Sequence, residues 1–262
     1  PTCVSQNNTK AINTIISIVF IVMLLSFCST CMNRIDQIIC TLPTNLLDNS
    51  NSLIDFILVD YNTVDTLHHF IVTNLSKYLE SGQLKYYRTD ELLYWHASIA
   101  KNTAHMLATG KYVVNLDCDN YIGKNGGDLL LDIFEKNGDD ILISQSQNIY
   151  GSGNTGRISL SKENFIKLGG YNEFFYPMGY QDPDLVDRAI HFGLKYINID
   201  SNNKTIPNTK KESVKNIGLN IEYEKMNSIN ILISKLNIKN NDLVANKCKK
   251  HIGILNVKRI FN

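Results

Sequence analysis

From Ile54 onward the apolar positions of the chain alternate between two spacings. IDFILVDYN (54–62) is continuous enough for a buried strand and ends at Asp60, whereas VDTLHHFIVTNLSKYLESG (64–82) has helical spacing and a glycine stop. The same alternation predicts a short strand over 83–89, a helix over 96–110 closed by Gly110, and a strand over 111–119. A helix over 126–138 and a strand over 140–146 follow. Strands and helices in this order specify a mostly parallel sheet covered on both faces, in which ligands bind beyond the carboxyl ends of the strands. Arg34, Asp60, Asp117 and Asp119 all fall at such ends.

The pattern changes on either side of this block. Residues 150–161 are rich in glycine and polar residues and read as a loop leading into a short strand. Ser161 is placed to cap a helix that Gly169 and Gly170 end. A further helix is predicted from about Pro183 to Phe192; proline fits its first turn, and Asp182 then lies at or beside the N-cap, close to free backbone donors. Beyond residue 200 the chain is rich in Asn and Lys, with one helix predicted over 222–237 and a terminal strand over 251–257. At the other end, residues 11–28 are the most apolar stretch, interrupted by Asn13, Thr14, Ser17 and Ser26. A membrane span needs about 20 apolar residues. The segment therefore reads as an anchor over about 11–23 leading into a strand at 24–28, as an extra buried segment, or as a translated leader. There is no internal repeat.

Composition narrows the class. A chain of 262 residues with 44 % hydrophobic content can bury a proper core, which excludes disorder throughout. Of the six cysteines only Cys28 and Cys31 are spaced as a ligand pair, with no second pair to complete a zinc site. They read as reduced thiols in a reducing, cytoplasmic compartment. Charge is lopsided: residues 1–200 carry 14 basic against 21 acidic side chains, and residues 201–262 carry 12 against 4. A basic tail on an acidic body is either a solvated helix or a surface for phosphate, on a soluble ligand or on a membrane.

Asp117 and Asp119, two residues apart at the end of an apolar strand, face the same way and can reach one cation. A hard divalent ion prefers such oxygen ligands and keeps water and substrate phosphates in its shell. A bare Asp-x-Asp also occurs in solvated turns, so its place after the strand is what gives it weight.

Four segments then carry a resemblance. LSFCSTCMNR, FILVDYNTVD, HASIAKNTAHMLATGKYVVNLDCDN and LGGYNEFFYPMGYQDPDL occur in that order, and over roughly residues 24–200 the chain resembles a bacterial-type, inverting family-two glycosyltransferase of the GT-A fold, with a C-terminal motif like that of galactosyltransferases. The resemblance implies an α/β, Rossmann-like sheet with a nucleotide-binding half at 24–123 and an acceptor half at 124–200; the helical or irregular basic extension at 201–262 lies outside it and is expected to fold back over the donor site, with its lysines near the diphosphate or a membrane-bound acceptor. The resemblance also implies that Thr30, Arg34, Asp60, Lys101, Asn102 and Asp117 bind the nucleotide sugar, most simply a UDP-sugar. Asp119 and Asp117 would hold Mn²⁺ or Mg²⁺, and Asp182 would be the general base. On the acceptor side it points to Glu173, Gly179, Tyr180, Gln181 and Asp184, with Gln181 standing where Glu is common. His191 and His251 do not suit a third metal position. The implied acceptor is a glycan or a lipid-linked molecule in polysaccharide or glycoconjugate synthesis; nucleic acid is not an expected partner, and peripheral or anchored membrane association stays open. Two rivals are weaker. A sugar-phosphate nucleotidyltransferase would carry a glycine-rich basic loop, which STCMNR lacks, and a non-catalytic glycan-binding domain need not have kept Asp117, Asp119 and Asp182.

Overall fold

A computed structural model describes residues 23–63, 66–146, 156–199 and 204–261. The apolar segment expected at 11–23 lies almost wholly outside the described residues. The elements run β1 (Leu25–Cys31), α1 (Ile35–Asp48), β2 (Ile54–Tyr61), α2 (Leu67–Asn74), α3 (Ser76–Glu80), β3 (Leu84–Thr89), α4 (Ala97–Leu107), β4 (Tyr112–Asn115) and α5 (Gly126–Asn137). They continue with β5 (Ile141–Ser144), β6 (Ile158–Ser161), α6 (Lys162–Lys167), α7 (Gln181–Phe192), β7 (Lys195–Asn198), α8 (Lys210–Ser213), α9 (Tyr223–Lys239) and β8 (Lys258–Arg259).

The strands form one sheet in the order β7-β5-β6-β4-β1-β2-β3-β8. β4, β1, β2 and β3 are mutually parallel, while β6 runs antiparallel between β4 and β5. Every residue of β1 and β2 is buried, the condition of strands covered on both faces. Alternation along β1 and β2 sends Leu25, Phe27, Phe56 and Leu58 to a core shared with α1, α2 and α5. Cys28, Ile57, Val59 and Tyr61 go to a second core against α4, α6 and α7. The fold is a GT-A-like mixed, mostly parallel sheet between helical layers.

Most predicted elements are present, with instructive differences. Ser161 does cap α6, accepting from Asn164 N–H at 3.2 Å. The helix expected over 64–82 is divided at Leu75 into α2 and α3. The strand expected over 111–119 stops at Asn115, because Asn120 N–H donates to Asp117 C=O at 3.0 Å and turns the chain. Helix α1 and strand β7 had no counterpart in the sequence reading. Pro43 lies inside α1, and its disruption is outweighed by a buried face of Ile38, Leu42, Asn45 and Leu46 at helical spacing. The terminal strand expected over 251–257 is not formed; β8 pairs instead with Tyr87 and Arg88 of β3.

Candidate active site

Helix α1 builds the loop that carries the two acids. Its Asn45 donates to Asn120 C=O (2.9 Å) and accepts from Ile122 N–H (2.9 Å), and Thr41 Oγ1 donates to Cys118 C=O (2.7 Å). On the other side Ser29 of β1 donates to Leu116 C=O (2.8 Å), and Ile206 N–H from the C-terminal region donates to Asp119 C=O (2.8 Å). The backbone from 116 to 122 is thus held at both flanks, which leaves the Asp117 and Asp119 side chains to face a cavity of about 640 Å³.

Nine of the sequence-derived candidates meet at that cavity. Thr30, Arg34, Lys101, Asp117 and Asp119 line it, together with Gly179, Tyr180, Gln181 and Asp182. Tyr180, the N-cap of α7, adopts a left-handed φ of +63°, a conformation an ordinary side chain rarely takes. That bend turns the chain into α7 with Gln181 and Asp182 in its first turn, facing the cavity. Gly179 precedes it because a Cβ there would lie 2.9 Å from Asn227 of α9.

The electrostatics centre on one buried lysine. Lys101 Nζ lies 2.7 Å from Asp182 Oδ1 and 3.3 Å from Asp117 Oδ1, and is buried. Burial works against its charge, but the two carboxylates outweigh it and raise its pKa. Burial also acts to raise the Asp117 carboxyl; Lys101 and the hydrogen bond from Asn115 overcome that and hold it below the usual range. Asp182 goes the other way, raised by burial and by Asp117 beyond what Lys101 lowers. Asp119 is pushed up to about 6 by burial and by the charge of Asp117, with Arg34 offsetting only part across 3.4 Å.

Those values bear on a metal. A carboxyl raised by a neighbouring carboxyl is a place where added positive charge is stabilising, and oxygen donors suit a hard divalent ion. Asp117 and Asp119 fit that role as a pair. Among the described residues no group of three His, Cys, Asp or Glu side chains could hold a metal ion, so phosphate and water would have to complete the shell. Two further atoms ask for a ligand: Arg34 Nε and Gln181 Oε1 are buried at this cavity without a hydrogen-bond partner.

Four candidates lie elsewhere. Asp60 is fully buried and already accepts from Tyr86 Oη (2.9 Å), Arg88 Nε (2.9 Å) and Thr63 N–H (3.2 Å). Asn102 is fully buried as a bracket: its amide donates to Tyr171 C=O and Glu173, each at 2.8 Å, and accepts from Tyr171 N–H. Glu173 is tied to Lys249 and to Gly253 N–H, joining α4 to the C-terminal region rather than facing the cavity. Asp184 is fully buried in an ion pair with Arg188 (2.8 Å), whose guanidinium also donates to Leu168 and Gly170 C=O. In this geometry Asn102, Glu173 and Asp184 act as structural ties.

The cavity also recruits residues that the sequence did not single out. Asn208, Lys210 and Glu212 from the segment around α8 line it, as do Tyr223, Asn227 and Ile231 from α9. Asn216 anchors that segment, donating to Met32 C=O (3.2 Å) and accepting at its own C=O from Trp95 N–H (2.7 Å). Part of the basic extension thus lies along the cavity, with Lys210 the one of its lysines that lines it among the described residues. The particular residues carry no motif and are found only by their position in space.

The model of the glycosyl transferase family 2 matches residues 26–197. No curated protein matches the chain. Among solved structures the chain is similar to mannosyltransferase PcManGT from Pyrobaculum calidifontis in complex with GDP-Man and Mn²⁺, at 16 % identity and a TM-score of 0.56, over 68 % of this chain and 55 % of that one. It is also similar to S. aureus TarS 1-349 in complex with UDP-GlcNAc, at 15 % identity and a TM-score of 0.63, over 82 % and 67 %. The chain thus spans little more than half of the mannosyltransferase. At these identities the likeness to solved structures establishes the fold.

Proposed function

The chain belongs to glycosyl transferase family 2, and on that premise we propose that it moves a sugar from a nucleoside-diphosphate sugar, in particular a UDP-sugar, to a hydroxyl of a glycan or lipid-linked acceptor, with inversion. The observation that carries this reading is that the Asp117 and Asp119 pair and Asp182 face one cavity with Lys101 between them. The mannosyltransferase holds GDP-Man and Mn²⁺ and TarS holds UDP-GlcNAc, which supports a nucleotide-sugar donor here.

On the donor side, Arg34 offers its unpartnered Nε–H to the diphosphate, and Thr30 lines the same wall. Asp119 and Asp117 would hold Mn²⁺ or Mg²⁺, which supplies positive charge against the leaving diphosphate. On the acceptor side, a hydroxyl must lose its proton as it attacks the anomeric carbon, and Asp182 is the carboxylate placed to take it. Its raised affinity for a proton suits that task. Lys101 occupies Oδ1, whereas the bond from Gln181 to Oδ2 is long, at 3.4 Å, so Oδ2 is the oxygen left to take the acceptor's proton. Gln181 Oε1, buried beside it, accepts a hydrogen bond from a second acceptor hydroxyl. Direct displacement of this kind needs one base and no covalent nucleophile, and it inverts the anomeric carbon.

The test is thermal stabilisation of the full chain by UDP-, GDP-, CMP- and dTDP-sugars, each with Mn²⁺ or with chelator. A metal-dependent shift with UDP-sugars is expected. A folded protein that responds to none of them would count against a donor site and favour a non-catalytic domain.

A further inference from the structure

Helix α9 presents three stripes to three surroundings. At 3.6 residues per turn Met226, Asn230 and Ser234 share one stripe, and all three are buried. Asn230 fixes the rotation of the helix by donating to the carbonyls of Tyr176 (3.2 Å) and Gly179 (2.6 Å). Tyr223, Asn227 and Ile231 form the next stripe, which is cavity wall. The remaining face carries Lys225, Leu232, Lys235, Leu236 and Lys239, all exposed, with Leu232 67 % and Leu236 58 % accessible.

A single exposed leucine needs no explanation, but two leucines a turn apart among three lysines make a surface of definite chemistry. Among the described residues none of Lys225, Lys235 and Lys239 has a carboxylate within 4.0 Å, whereas Lys210, Lys247 and Lys249 are paired with Glu224, Asp242 and Glu173. The one acid of α9, Glu224, is therefore already neutralised by Lys210.

We propose that this face of α9 docks on an anionic lipid surface. Leu232 and Leu236 enter the headgroup layer while the lysines lay their aliphatic stems along it and place their ammonium groups on lipid phosphates. Lysines alone would suit any polyanion; the leucines at the centre of the face select a bilayer over nucleic acid. The acidic body, 14 basic against 21 acidic residues before residue 201, is repelled by the same surface, so the molecule is oriented with α9 toward the lipid. Because the outer face adjoins the stripe that lines the cavity, docking brings that wall of the cavity close to the membrane, from which a lipid-linked hydroxyl would approach Asp182. That last consequence rests on the transferase reading; the docking does not.

Co-sedimentation of the full chain with phosphatidylcholine vesicles, with and without phosphatidylglycerol, tests the proposal. Binding should require the anionic lipid and weaken as salt rises. Each lysine near such a surface is worth about a fivefold change in partitioning, so the triple variant Lys225→Ser, Lys235→Ser, Lys239→Ser should bind on the order of a hundredfold more weakly. Leu232→Ser with Leu236→Ser should also weaken binding, and since all five side chains are exposed, both variants should keep the parent melting temperature and the parent response to UDP-sugar. Unchanged vesicle binding by both variants would overturn the proposal, as would equal binding to neutral vesicles. So would a concentration-dependent dimer in sedimentation velocity that the leucine variant abolishes, which would assign the face to a second copy. A vesicle result of either kind leaves the UDP-sugar response free to succeed or fail separately.

Discussion

Lys101 Nζ lies 2.7 Å from Asp182 Oδ1, and the same ammonium reaches Asp117 across 3.3 Å. One buried cation therefore joins the acid assigned to the acceptor with an acid assigned to the donor. Removing it leaves the nearly buried Asp182 and the partly exposed Asp117 beside each other without their shared cation. Lys101→Met is expected to cost about 3–5 kcal/mol in urea unfolding, the range for breaking a buried pair. Adding Asp182→Asn to that variant should restore part of the loss; a double variant no more stable than Lys101→Met would mean that the lysine's packing, not its charge, is what matters.

Asp119→Ala and Asp182→Asn should separate binding from chemistry. The first is expected to abolish metal-dependent donor binding in titration calorimetry. The second should leave donor affinity within a factor of about two and lower transfer by roughly 10²–10⁴-fold, the usual contribution of a positioned base. Unchanged donor affinity in Asp119→Ala would remove the metal reading.

Gly156 keeps space beside Asp117. A Cβ there would sit 2.3 Å from Asp117 Oδ2, with Asn115 Nδ2 at 3.2 Å, so the carboxylate must move. Gly156→Ala is expected to weaken metal-dependent donor binding by an order of magnitude or more, while the melting temperature changes little. Donor titration against wild type decides it.

Asp184 and Arg188 should register in stability, not in acceptor affinity. Arg188→Ala leaves the fully buried Asp184 without its cation and leaves the carbonyls of Leu168 and Gly170 without a donor. A loss of about 3–5 kcal/mol is expected. Asp184→Asn should cost less and leave acceptor KM unchanged; a KM effect with intact stability would return Asp184 to the acceptor site.

His105 supplies a pH dependence. It is buried between Phe165 and Tyr171, donates from Nδ1 to Lys101 C=O at 2.7 Å, and has its pKa pushed down to about 3 by burial. The unfolded chain takes up a proton near 6.5 that the folded chain refuses until about 3, so stability is complete above that upper value and falls as pH drops between them. The loss should reach about 2 kcal/mol at pH 5. His105→Phe should flatten that part of the profile, measured as unfolding free energy against pH.

Periodicity by itself determined the alternating strands and helices, and local chemistry determined several ends, such as the Ser161 cap. Both are short-range effects written into neighbouring residues. Spacing also placed Asp117 and Asp119 at a strand end and Asp182 at a helix start, and all three line the cavity. Only the tertiary structure decided which polar residues face the cavity. Asp60, Asn102, Glu173 and Asp184 stand in motif positions, yet each is tied to partners between 3 and 80 residues away, among them Thr63 for Asp60, Arg188 for Asp184 and Gly253 for Glu173. Helix α1 escaped the sequence reading because Pro43 breaks the local rule and only packing against β1 and β2 repays it. That helix proved to hold the acidic loop in place. The residues around α8 and α9 that close the cavity follow from neither period nor motif, because their role comes from where the chain returns after more than a hundred residues, a long-range contact that no local window contains.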